Sequence, residues 1–501
     1  MENFDYLVIG GGTAGCVLAN RLSEDPATTV LLLEAGAADG PPIMSDPALW
    51  PMLAGTEVDW GFSSTPQSQT DDAVHPLARG KVLGGSSSIN ALLHFRGHPL
   101  SYDDWETAGA TGWNYQSVLP FLKRSETAPG RDPSYRGTSG PMRVGPSDQV
   151  NPLFDAVMDA AIETGYSRTD DLNGADGEGV SWSEVNVVDG ARQSAADAYL
   201  RPVLHRRNLT VLTNAPARKL LIDKGACRGA VYSRGNEEKT AYARREVVLA
   251  SGTIGSAQLL MVSGVGPADH LREVGVDVVA DLPGIGENLQ DHTLTPISYS
   301  ASQEVGRAFV RRPLIRFSSG LSGQPDLQII FFDFPLYPRA RPGAESGYTV
   351  TVSLMKPASR GSIRLVNADP SAHPLIDPNY LGDERDMDRL LVGVRQARKI
   401  GEAKALTEWR EAEVAPGADS RNDSDIRHYI RRSLFSYNHL IGTCRMGTDT
   451  HSVVDPYLRV HGISGLRIAD ASVMPSIISG NPNATVLAIA ERAAAYLASS
   501  E

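Results

Sequence analysis

Residues 5–34 read DYLVIGGGTAGCVLANRLSEDPATTVLLLE, and this stretch decides the fold class. Residues 4–9 form a short apolar run typical of a buried parallel strand, and residues 13–22 carry the apolar spacing of a helix packed on it. A second apolar run at residues 30–33 ends in an acid, Glu34. A strand, a glycine-rich turn, a helix and a second strand predict the first unit of a dinucleotide-binding α/β domain.

The turn between this strand and this helix has the composition of a phosphate-binding loop. Gly10 allows a sharp turn, Gly12 allows the backbone to approach a pyrophosphate, and Gly15 allows the helix to lie close to the strand. Thr13 and Ala14 open the helix, whose free amide groups and positive dipole end favour phosphate. Because the chain has 48 glycines in 501 residues, the alternative is an accidental match in an unrelated α/β protein. The surrounding strands and helix favour the dinucleotide site.

The acid at the end of the second strand indicates which dinucleotide is bound. Glu34 follows Gly15 by 19 residues (34 − 15), close to the spacing of a carboxylate that accepts hydrogen bonds from ribose hydroxyls. A carboxylate at this position would repel a 2'-phosphate. The pattern therefore predicts a dinucleotide without that phosphate.

Composition and charge exclude several classes of function. The 41% hydrophobic and 21% charged residues are typical of a globular protein, and 501 residues suggest two or three domains' worth of structure. The formal charge of −12 argues against a nucleic-acid partner and against attraction to anionic lipid. No apolar run is long enough to cross a bilayer, so no membrane insertion is expected. The 11 histidines show no paired ligand spacing, so no metal site is expected.

Two features predict a cytoplasmic location. The first strand begins by Phe4, which leaves no room for a cleavable secretory signal. Cys16, Cys227 and Cys444 are widely spaced and resemble reduced intracellular thiols more than a disulfide framework.

Later segments extend the α/β domain and add a second kind of sheet. A further βα unit is predicted from a strand at 208–213, a hairpin at 218–231, and a strand at 246–250 that leads into a helix ending at 261. Helical patterns cover 101–122, 384–405 and 482–497, and a short strand covers 466–470. Strands at 327–332, 348–355 and 362–366 predict an antiparallel sheet that faces the substrate.

Five segments beyond residues 5–34 carry a family resemblance. They are 80–90 (GKVLGGSSSIN), 252–266 (GTIGSAQLLMVSGVG), 283–292 (PGIGENLQDH), 439–443 (HLIGT) and 480–485 (GNPNAT). In this order and from end to end, the chain resembles the glucose-methanol-choline (GMC) oxidoreductases, flavoproteins that oxidise alcohols with FAD. Its block order and length are closer to bacterial alcohol, choline and hydroxymethylfurfural oxidoreductases than to the larger fungal sugar oxidases.

The resemblance implies an α/β fold in which a Rossmann-like FAD-binding domain is interleaved with a substrate domain built on an antiparallel sheet covered by helices. The implied FAD-binding domain comprises residues 1–145, 195–292 and 452–501, and the implied substrate domain comprises 146–194 and 293–451. Some family members attach the flavin through a histidine where this chain has Ile89. Since isoleucine cannot form that bond, FAD is expected to be noncovalent.

The resemblance also implies a set of FAD contacts. Gly84, Gly85 and Ser86 offer closely spaced amides and a hydroxyl suited to pyrophosphate and flavin edge atoms. Asn90 and Ala91 should lie beside the reactive edge of the flavin, and Thr485 begins a helix whose N-terminus favours negative charge on it. The other implied contacts, besides those of the first loop and Glu34, are Ala35, Arg79, Val82, Ala217, Ser251, Gly252, Asp470, Ala471, Asn481 and Pro482. The alternative to an FAD contact for Asp470 is the role of an ordinary turn or helix-cap residue.

His439 and Asn483 are the predicted catalytic residues. Oxidation of an alcohol by flavin removes a hydride from carbon and a proton from oxygen, so a base and an orienting polar group are needed near the hydroxyl. Imidazole, with an unperturbed pKa of about 6.5, accepts a proton near neutral pH. The Asn483 amide donates to the substrate oxygen without competing for that proton. Only the resemblance brings these two positions together.

His94 is a departure from the family, which usually has an aromatic residue or alanine there. Because it lies four residues after Asn90, one hypothesis is that it donates a hydrogen bond to a polar substrate. The equally weighted alternative is a partly buried histidine paired with backbone.

The leading interpretation is FAD-dependent oxidation of a small primary alcohol to its aldehyde, the alcohol being aromatic, heteroaromatic or choline-like. No second GxGxxG occurs, so reduced flavin is expected to pass its electrons to dioxygen or a quinone-like acceptor. One alternative is a lyase or decarboxylase on the same fold, and another is a non-catalytic flavin-binding protein. The sequence does not separate oxidase from dehydrogenase, and it leaves the oligomeric state open.

Overall fold

Two seven-stranded sheets organise the chain in the computed structural model, which describes residues 2–147, 149–306, 311–336 and 346–499. The first sheet is mainly parallel and the second is antiparallel. Helices cover both sheets, so the mixed α/β class predicted from the sequence is confirmed.

The first sheet contains the strands predicted around residues 5–34. Its hydrogen-bonded order is Leu209–Leu212, Val30–Leu33, Glu2–Ile9, Glu237–Leu249, Ala226–Arg234 and Ala217–Asp223, and Leu466–Ile468 also pairs with the end of Glu237–Leu249. The Val30–Leu33 strand is buried throughout, as expected for a parallel strand covered on both faces. The hairpin predicted at 218–231 is antiparallel.

The second sheet is the antiparallel sheet predicted from the middle of the chain. Its order is Arg410–Ala415, Thr293–Ala301, Gly347–Leu354, Leu327–Phe332, Pro313–Phe317 and Gly179–Trp182, and Phe435–Ser436 pairs with the start of Thr293–Ala301. Side chains alternate between its two faces. One face carries Ile297, Ile329 and Val352 and packs beneath helices. The other carries Leu314, Ile330 and Phe332 and packs on residues 92–95.

Six of the nine helices in the described residues lie at or near predicted positions, and three, at 152–163, 268–273 and 423–433, were not predicted. Over these residues, the nine helices are α1 Thr13–Leu22, α2 Pro99–Thr107, α3 Tyr115–Ser125, α4 Pro152–Glu163, α5 Gly252–Val262, α6 Ala268–Glu273, α7 Glu384–Gly401, α8 Asp423–Ser433 and α9 Pro482–Ala498. α1 has the predicted bounds, and α9 packs against α1 and α3. The chain therefore returns at its end to the first sheet.

Two local predictions need correction. The helical pattern at 101–122 is two helices, α2 and α3, because Gly109 and Gly112 have φ values of +96° and +82° that end the first. The side chain of Asn114 then accepts a hydrogen bond from Ser117 N and begins the second. The strand predicted at 362–366 lies outside the seven-stranded sheet, because Ser362–Arg364 pairs only with Leu375–Asp377.

Two large apolar clusters are associated with the two sheets. The larger surrounds the first sheet and the smaller lies between the second sheet and α4, α7 and α8. Two segments inside the predicted substrate domain contribute to the larger cluster, namely Ile363 to Ile376 and Leu440 to Met446. The segment that follows His439 therefore packs on the side of the first sheet.

Candidate active site

Four loops meet at the carboxyl end of the first sheet. Gly84 N donates to Gly11 O at 2.8 Å, which joins the first glycine loop to the second. Gly252 N donates to Asp470 Oδ2 at 2.9 Å, which joins the loop before α5 to the loop after the last strand. In a parallel sheet, ligands bind at this edge, outside the carboxyl ends of the strands.

The first loop fits a pyrophosphate. Gly12 caps α1 without a side-chain hydrogen bond, so the first-turn amides have no side-chain cap. A Cβ added to Gly12 would meet no atom closer than 3.9 Å, those being Ala250 O and Gly85 Cα. Gly10 differs, since its φ is +104° and a Cβ there would lie 2.6 Å from Ala250 O. Gly10 is thus needed for the turn, and Gly12 for the open surface beside the helix end.

Glu34 lies beside this loop at the end of the second strand. Its Oε2 accepts from Gly11 N at 2.7 Å and its Oε1 from Gly36 N at 2.6 Å. Burial raises the pKa of Glu34 to about 7, although these hydrogen bonds lower it. Each carboxylate oxygen has a second lone pair, so the group retains capacity to accept from ribose hydroxyls.

His439 is paired with a second histidine that the sequence did not single out. His292 Nε2 lies 3.0 Å from Met355 O, and His292 Nδ1 lies 2.9 Å from His439 Nδ1. A carbonyl oxygen only accepts, so neutral His292 carries its proton on Nε2 and offers a lone pair at Nδ1. His439 must then donate from Nδ1, which leaves its Nε2 unprotonated. This geometry gives His439 the tautomer of a general base.

The surroundings of His439 keep it neutral and fixed. Burial, His292 and Arg79 hold the pKa of His439 well below its usual value. Burial also lowers the pKa of His292 to about 3. The backbone amide of His439 donates to Asp291 Oδ1 at 2.7 Å. The Tyr437 ring stacks on the His439 ring, with centroids 4.0 Å apart.

A hydrogen bond from Thr13 fixes the orientation of the Asn483 side-chain amide. Thr13 Oγ1 donates to Asn483 Oδ1 at 2.8 Å, so the Nδ2 group points away from this contact as a donor. Asn483 lies in the first turn of α9, and the Tyr437 hydroxyl interacts with the side chain of Asn481, two residues earlier. Tyr437 therefore links the segment that carries His439 to the segment that carries Asn483.

Other predicted cofactor residues lie in the same loops. Asp470 Oδ1 accepts from Ser472, and Ala471 O accepts from Gly442 N at 3.3 Å. Ser251 Oγ donates to Ile9 O at 2.9 Å, and Gly252 has a φ of +75°. Asp470 is thus bonded on both sides and fixes two loops at once.

Several residues predicted to lie near the flavin edge are held by hydrogen bonds to neighbouring segments. Asn90 Oδ1 accepts from Arg192 Nη1 at 2.9 Å, and half-buried Ala91 follows it. Thr485 Oγ1 and Tyr102 OH are 2.8 Å apart. Pro482 occupies the first position of α9, and Asn481 N donates to Phe95 O at 2.8 Å.

Three predicted contacts have less obvious roles. Val82 is buried in an apolar cluster with Ile89, so its backbone rather than its side chain is available to a ligand. Ala217 begins a strand and pairs with Tyr232, and the structure shows no feature there that indicates a ligand. Arg79 Nη1 donates to Asn438 O at 2.8 Å, which places Arg79 beside the residue preceding His439.

The structure places His94 in a buried ion-pair cluster. Its Nε2 lies 2.8 Å from Glu126 Oε2, and its side chain is 1% exposed. Arg96 and Arg136 also contact Glu126, and Arg136 continues to Glu184. The His94 ring therefore bonds to the Glu126 carboxylate, which favours a structural role over the hypothesised contact with substrate. The partner is a side chain, whereas the alternative hypothesis had a backbone group.

Sequence reasoning missed His292 and Tyr437. His292 is the last residue of segment 283–292, which carries the family resemblance. The sequence pattern predicted no role for this histidine. Tyr437 lies two residues before His439, and Asn438 between them has a φ of +62°, so the chain turns there and does not run as an extended strand. Neither position in the sequence reveals the contacts, because His292 and His439 are 147 residues apart.

Comparison with known proteins assigns the family. The GMC oxidoreductase N-terminal model matches residues 4–294, and the C-terminal model matches residues 357–490. The chain belongs to the GMC oxidoreductase family. As expected of this family, it is an FAD-dependent alcohol oxidoreductase, so the enzyme class and cofactor predicted from the sequence are confirmed. No helix in the described ranges has both the length and the hydropathy needed to cross a membrane.

The GMC relatives match over nearly the whole chain. An oxygen-dependent choline dehydrogenase of Sinorhizobium medicae is 38% identical, covering 98% of this chain and 95% of its own length. The mitochondrial choline dehydrogenase of Homo sapiens is 37% identical, covering 98% and 89%. The crystal structure of pyridoxine 4-oxidase from "Mesorbium loti" superposes with a TM-score of 0.95 at 35% identity, covering 98% of this chain and 99% of that one. These proteins support alcohol oxidation and give no support to a lyase.

The two glycines of the first loop provide a test of the cofactor site. We expect Gly12→Ala to fold normally, because its Cβ has room and its φ of −75° suits alanine. The same methyl would occupy space beside the helix end, so FAD affinity should fall by about tenfold or more, roughly 1.4 kcal/mol. Flavin content after dilution and thermal unfolding of the apoprotein measure the two effects. Gly10→Ala is the contrast, and it should lower stability even without FAD.

Proposed function

We propose that this GMC oxidoreductase oxidises a small primary alcohol to its aldehyde, with His439 as the base and Asn483 as the orienting donor. The observation that carries the proposal is the contact between His292 and His439, which leaves Nε2 of His439 without a proton. A base for alcohol oxidation needs that protonation state before the substrate arrives.

The protein side of the reaction follows from these two residues. The substrate hydroxyl donates its proton to His439 Nε2, and the Asn483 Nδ2 group donates a hydrogen bond to the substrate oxygen. Bound FAD would supply the two-electron acceptor for the hydride that leaves the carbinol carbon. Because the protonated ring keeps its Nδ1 hydrogen bond to His292, it stays in place through the transfer.

FAD would be held noncovalently by the four loops. Ile89 offers no group for a covalent bond and is buried against Val82 and Val58. The proposed contacts are the Gly12 loop and α1 for the pyrophosphate, Glu34 for the ribose, and the loops of Gly84, Gly252 and Asp470 around them. The electron acceptor would be dioxygen or a quinone-like compound, and the proposed location is the cytoplasm, consistent with three buried free cysteines.

The substrate we propose is a planar aromatic or heteroaromatic alcohol. Tyr437 belongs to an apolar group that includes Trp50, Phe332 and Phe334, so aromatic rings lie on the side of His439 that faces the second sheet. Aromatic side chains favour planar partners through stacking and edge contacts. Choline is the second candidate, since the two relatives named above are choline dehydrogenases.

The test is anaerobic titration of the purified holoenzyme with benzylic, pyridyl, furfuryl, choline-like, aliphatic and sugar alcohols, followed by flavin absorbance. Bleaching by the aromatic and heteroaromatic alcohols at the lowest concentrations is expected. Bleaching by choline alone would replace the first substrate class with the second. If no alcohol in any class reduces the flavin, the proposed reaction is wrong.

A further inference from the structure

Two fully buried polar side chains lie on the face of the second sheet that points toward His439. Gln328 and Thr351 are each 0% exposed. Thr351 pairs with Ile330 across neighbouring strands, and Gln328 is two residues before Ile330 on the same face. Ile330 belongs to the apolar group that contains Tyr437, so all three residues lie on the substrate side.

These side chains carry unmet hydrogen-bonding groups. Within the ranges that the structure describes, neither Gln328 Nε2 nor Thr351 Oγ1 has a hydrogen-bond partner. Buried polar groups are nearly always paired, and an unmet one is costly. Unmet hydroxyls also occur on the helix-covered face of this sheet, Thr295 among them, so burial alone does not indicate a ligand. Gln328 and Thr351 differ because they share the face of Tyr437, whose ring stacks on His439.

The amide orientation of Gln328 follows from its hydrogen bond with Tyr437. Gln328 contacts Tyr437 through its side-chain oxygen. The Tyr437 hydroxyl donates to Gln328 Oε1 at 3.2 Å. Gln328 therefore presents its Nε2 group, which has two hydrogens and no lone pair.

This donor lies close to the reacting centre. The ring of Tyr437 stacks on His439 and its hydroxyl contacts Gln328, so one tyrosine side chain spans the distance between base and amide. Met355, one residue beyond the strand that carries Thr351, accepts the hydrogen bond from His292. The strand of Thr351 thus supports His292, and Gln328 contacts the tyrosine that stacks on His439.

We propose that Gln328 Nε2 and Thr351 Oγ1 form a subsite for a hydrogen-bond acceptor of the substrate, separate from the oxidised hydroxyl. The favoured substrate is a ring-bearing primary alcohol with a ring nitrogen, carbonyl or phenolic oxygen on the side away from its CH2OH group. This inference rests on the proposed function. Choline does not fit the subsite, because its only acceptor is the oxygen that reacts.

Pyridin-3-ylmethanol, pyridin-4-ylmethanol and benzyl alcohol are matched probes, since they differ only in a ring nitrogen. The experiment measures the second-order rate constant of anaerobic flavin reduction by each alcohol, in the wild-type holoenzyme and in its variants. The rate constant for each pyridyl alcohol is then divided by the rate constant for benzyl alcohol. Gln328→Met and Thr351→Val remove one group each. Thr295→Val is the control, because the buried Thr295 hydroxyl on the opposite face of the same sheet also has no hydrogen-bond partner among the described residues.

One of the two pyridyl alcohols gives the larger pyridyl-to-benzyl ratio of rate constants in wild type. We expect Gln328→Met or Thr351→Val to lower that ratio by about 5- to 100-fold, the range of one lost hydrogen bond. Thr295→Val should leave the ratio unchanged. Using a ratio cancels any shift of Tyr437 or His439 that slows both alcohols equally. If Gln328→Met and Thr351→Val both leave the ratio within twofold of wild type while alcohols still reduce the flavin, the subsite is refuted and the proposed reaction stands. Failure of every alcohol in wild type would instead refute the proposed reaction.

Discussion

Replacing His439 with alanine is expected to slow flavin reduction by alcohol about 10²- to 10⁴-fold, the usual contribution of a positioned general base. The loss should appear in the limiting rate of anaerobic reduction, because the base acts after the alcohol is bound. FAD content should stay near that of wild type, since no hydrogen bond from the His439 side chain reaches the described glycine loops.

The pH dependence of the same rate gives an independent check. As the proposed base, His439 acts in its neutral form, and its pKa lies well below the usual value. The wild-type rate should therefore be flat from about pH 6.5 upward, the ordinary histidine pKa, and fall only at lower pH. His292→Phe removes the acceptor for His439 Nδ1 and should lower the rate, whereas exposed His451→Ala should not. A His439→Ala rate within fivefold of wild type would remove this residue as the base.

Glu126→Gln is expected to lower the free energy of unfolding by about 3–5 kcal/mol, the cost of breaking a buried ion pair from one side. Glu126 is fully buried, and its carboxylate contacts His94 at 2.8 Å and Arg96 and Arg136 at 2.7 Å. Burial alone would raise the pKa of Glu126, but Arg96, the hydrogen bond with His94 and Arg136 hold it well below its usual value. In the variant, the buried guanidinium groups of Arg96 and Arg136 no longer face the negative charge of Glu126. The free energy of unfolding is measured by urea denaturation near pH 7.

The matched control for this cluster is Glu384→Gln. Glu384 contacts Arg427 on the surface and its side chain is 67% exposed, so its loss should cost no more than about 1 kcal/mol. A lowered carboxyl pKa means that the stabilisation by Glu126 is present above its unfolded pKa and is lost as pH falls through the folded value. The difference between wild type and Glu126→Gln should therefore shrink in strong acid. Equal unfolding free energies for both variants at pH 7 would contradict the prediction.

Local sequence patterns predicted the elements that depend on local spacing. α1 has the bounds Thr13–Leu22, and the central strand Leu327–Phe332 also lies where alternating and apolar runs placed it. The glycine loop was predictable for the same reason, because Gly10 and Gly12 act on their immediate neighbours.

Contacts between distant residues could not be predicted from spacing. His292 meets His439 only because one precedes a strand of the second sheet and the other follows the short strand paired with it. His94 was placed beside Asn90 by sequence distance alone. Leu92 between them has a φ of +64°, which turns the chain and carries His94 to Glu126. The backbone at Leu92 was not readable from the residue type, because leucine rarely adopts that conformation.

The hydrogen bond between Thr13 and Asn483 joins positions 470 residues apart. During synthesis the ribosome therefore makes Thr13 470 residues before Asn483. The strand Leu466–Ile468, which pairs with the end of Glu237–Leu249, also follows the glycine loop by a long stretch of chain. Until both have been made, a nascent chain carries the glycine loop without its partners from the far end of this stretch. Closure of the proposed flavin site is thus a step that waits for α9.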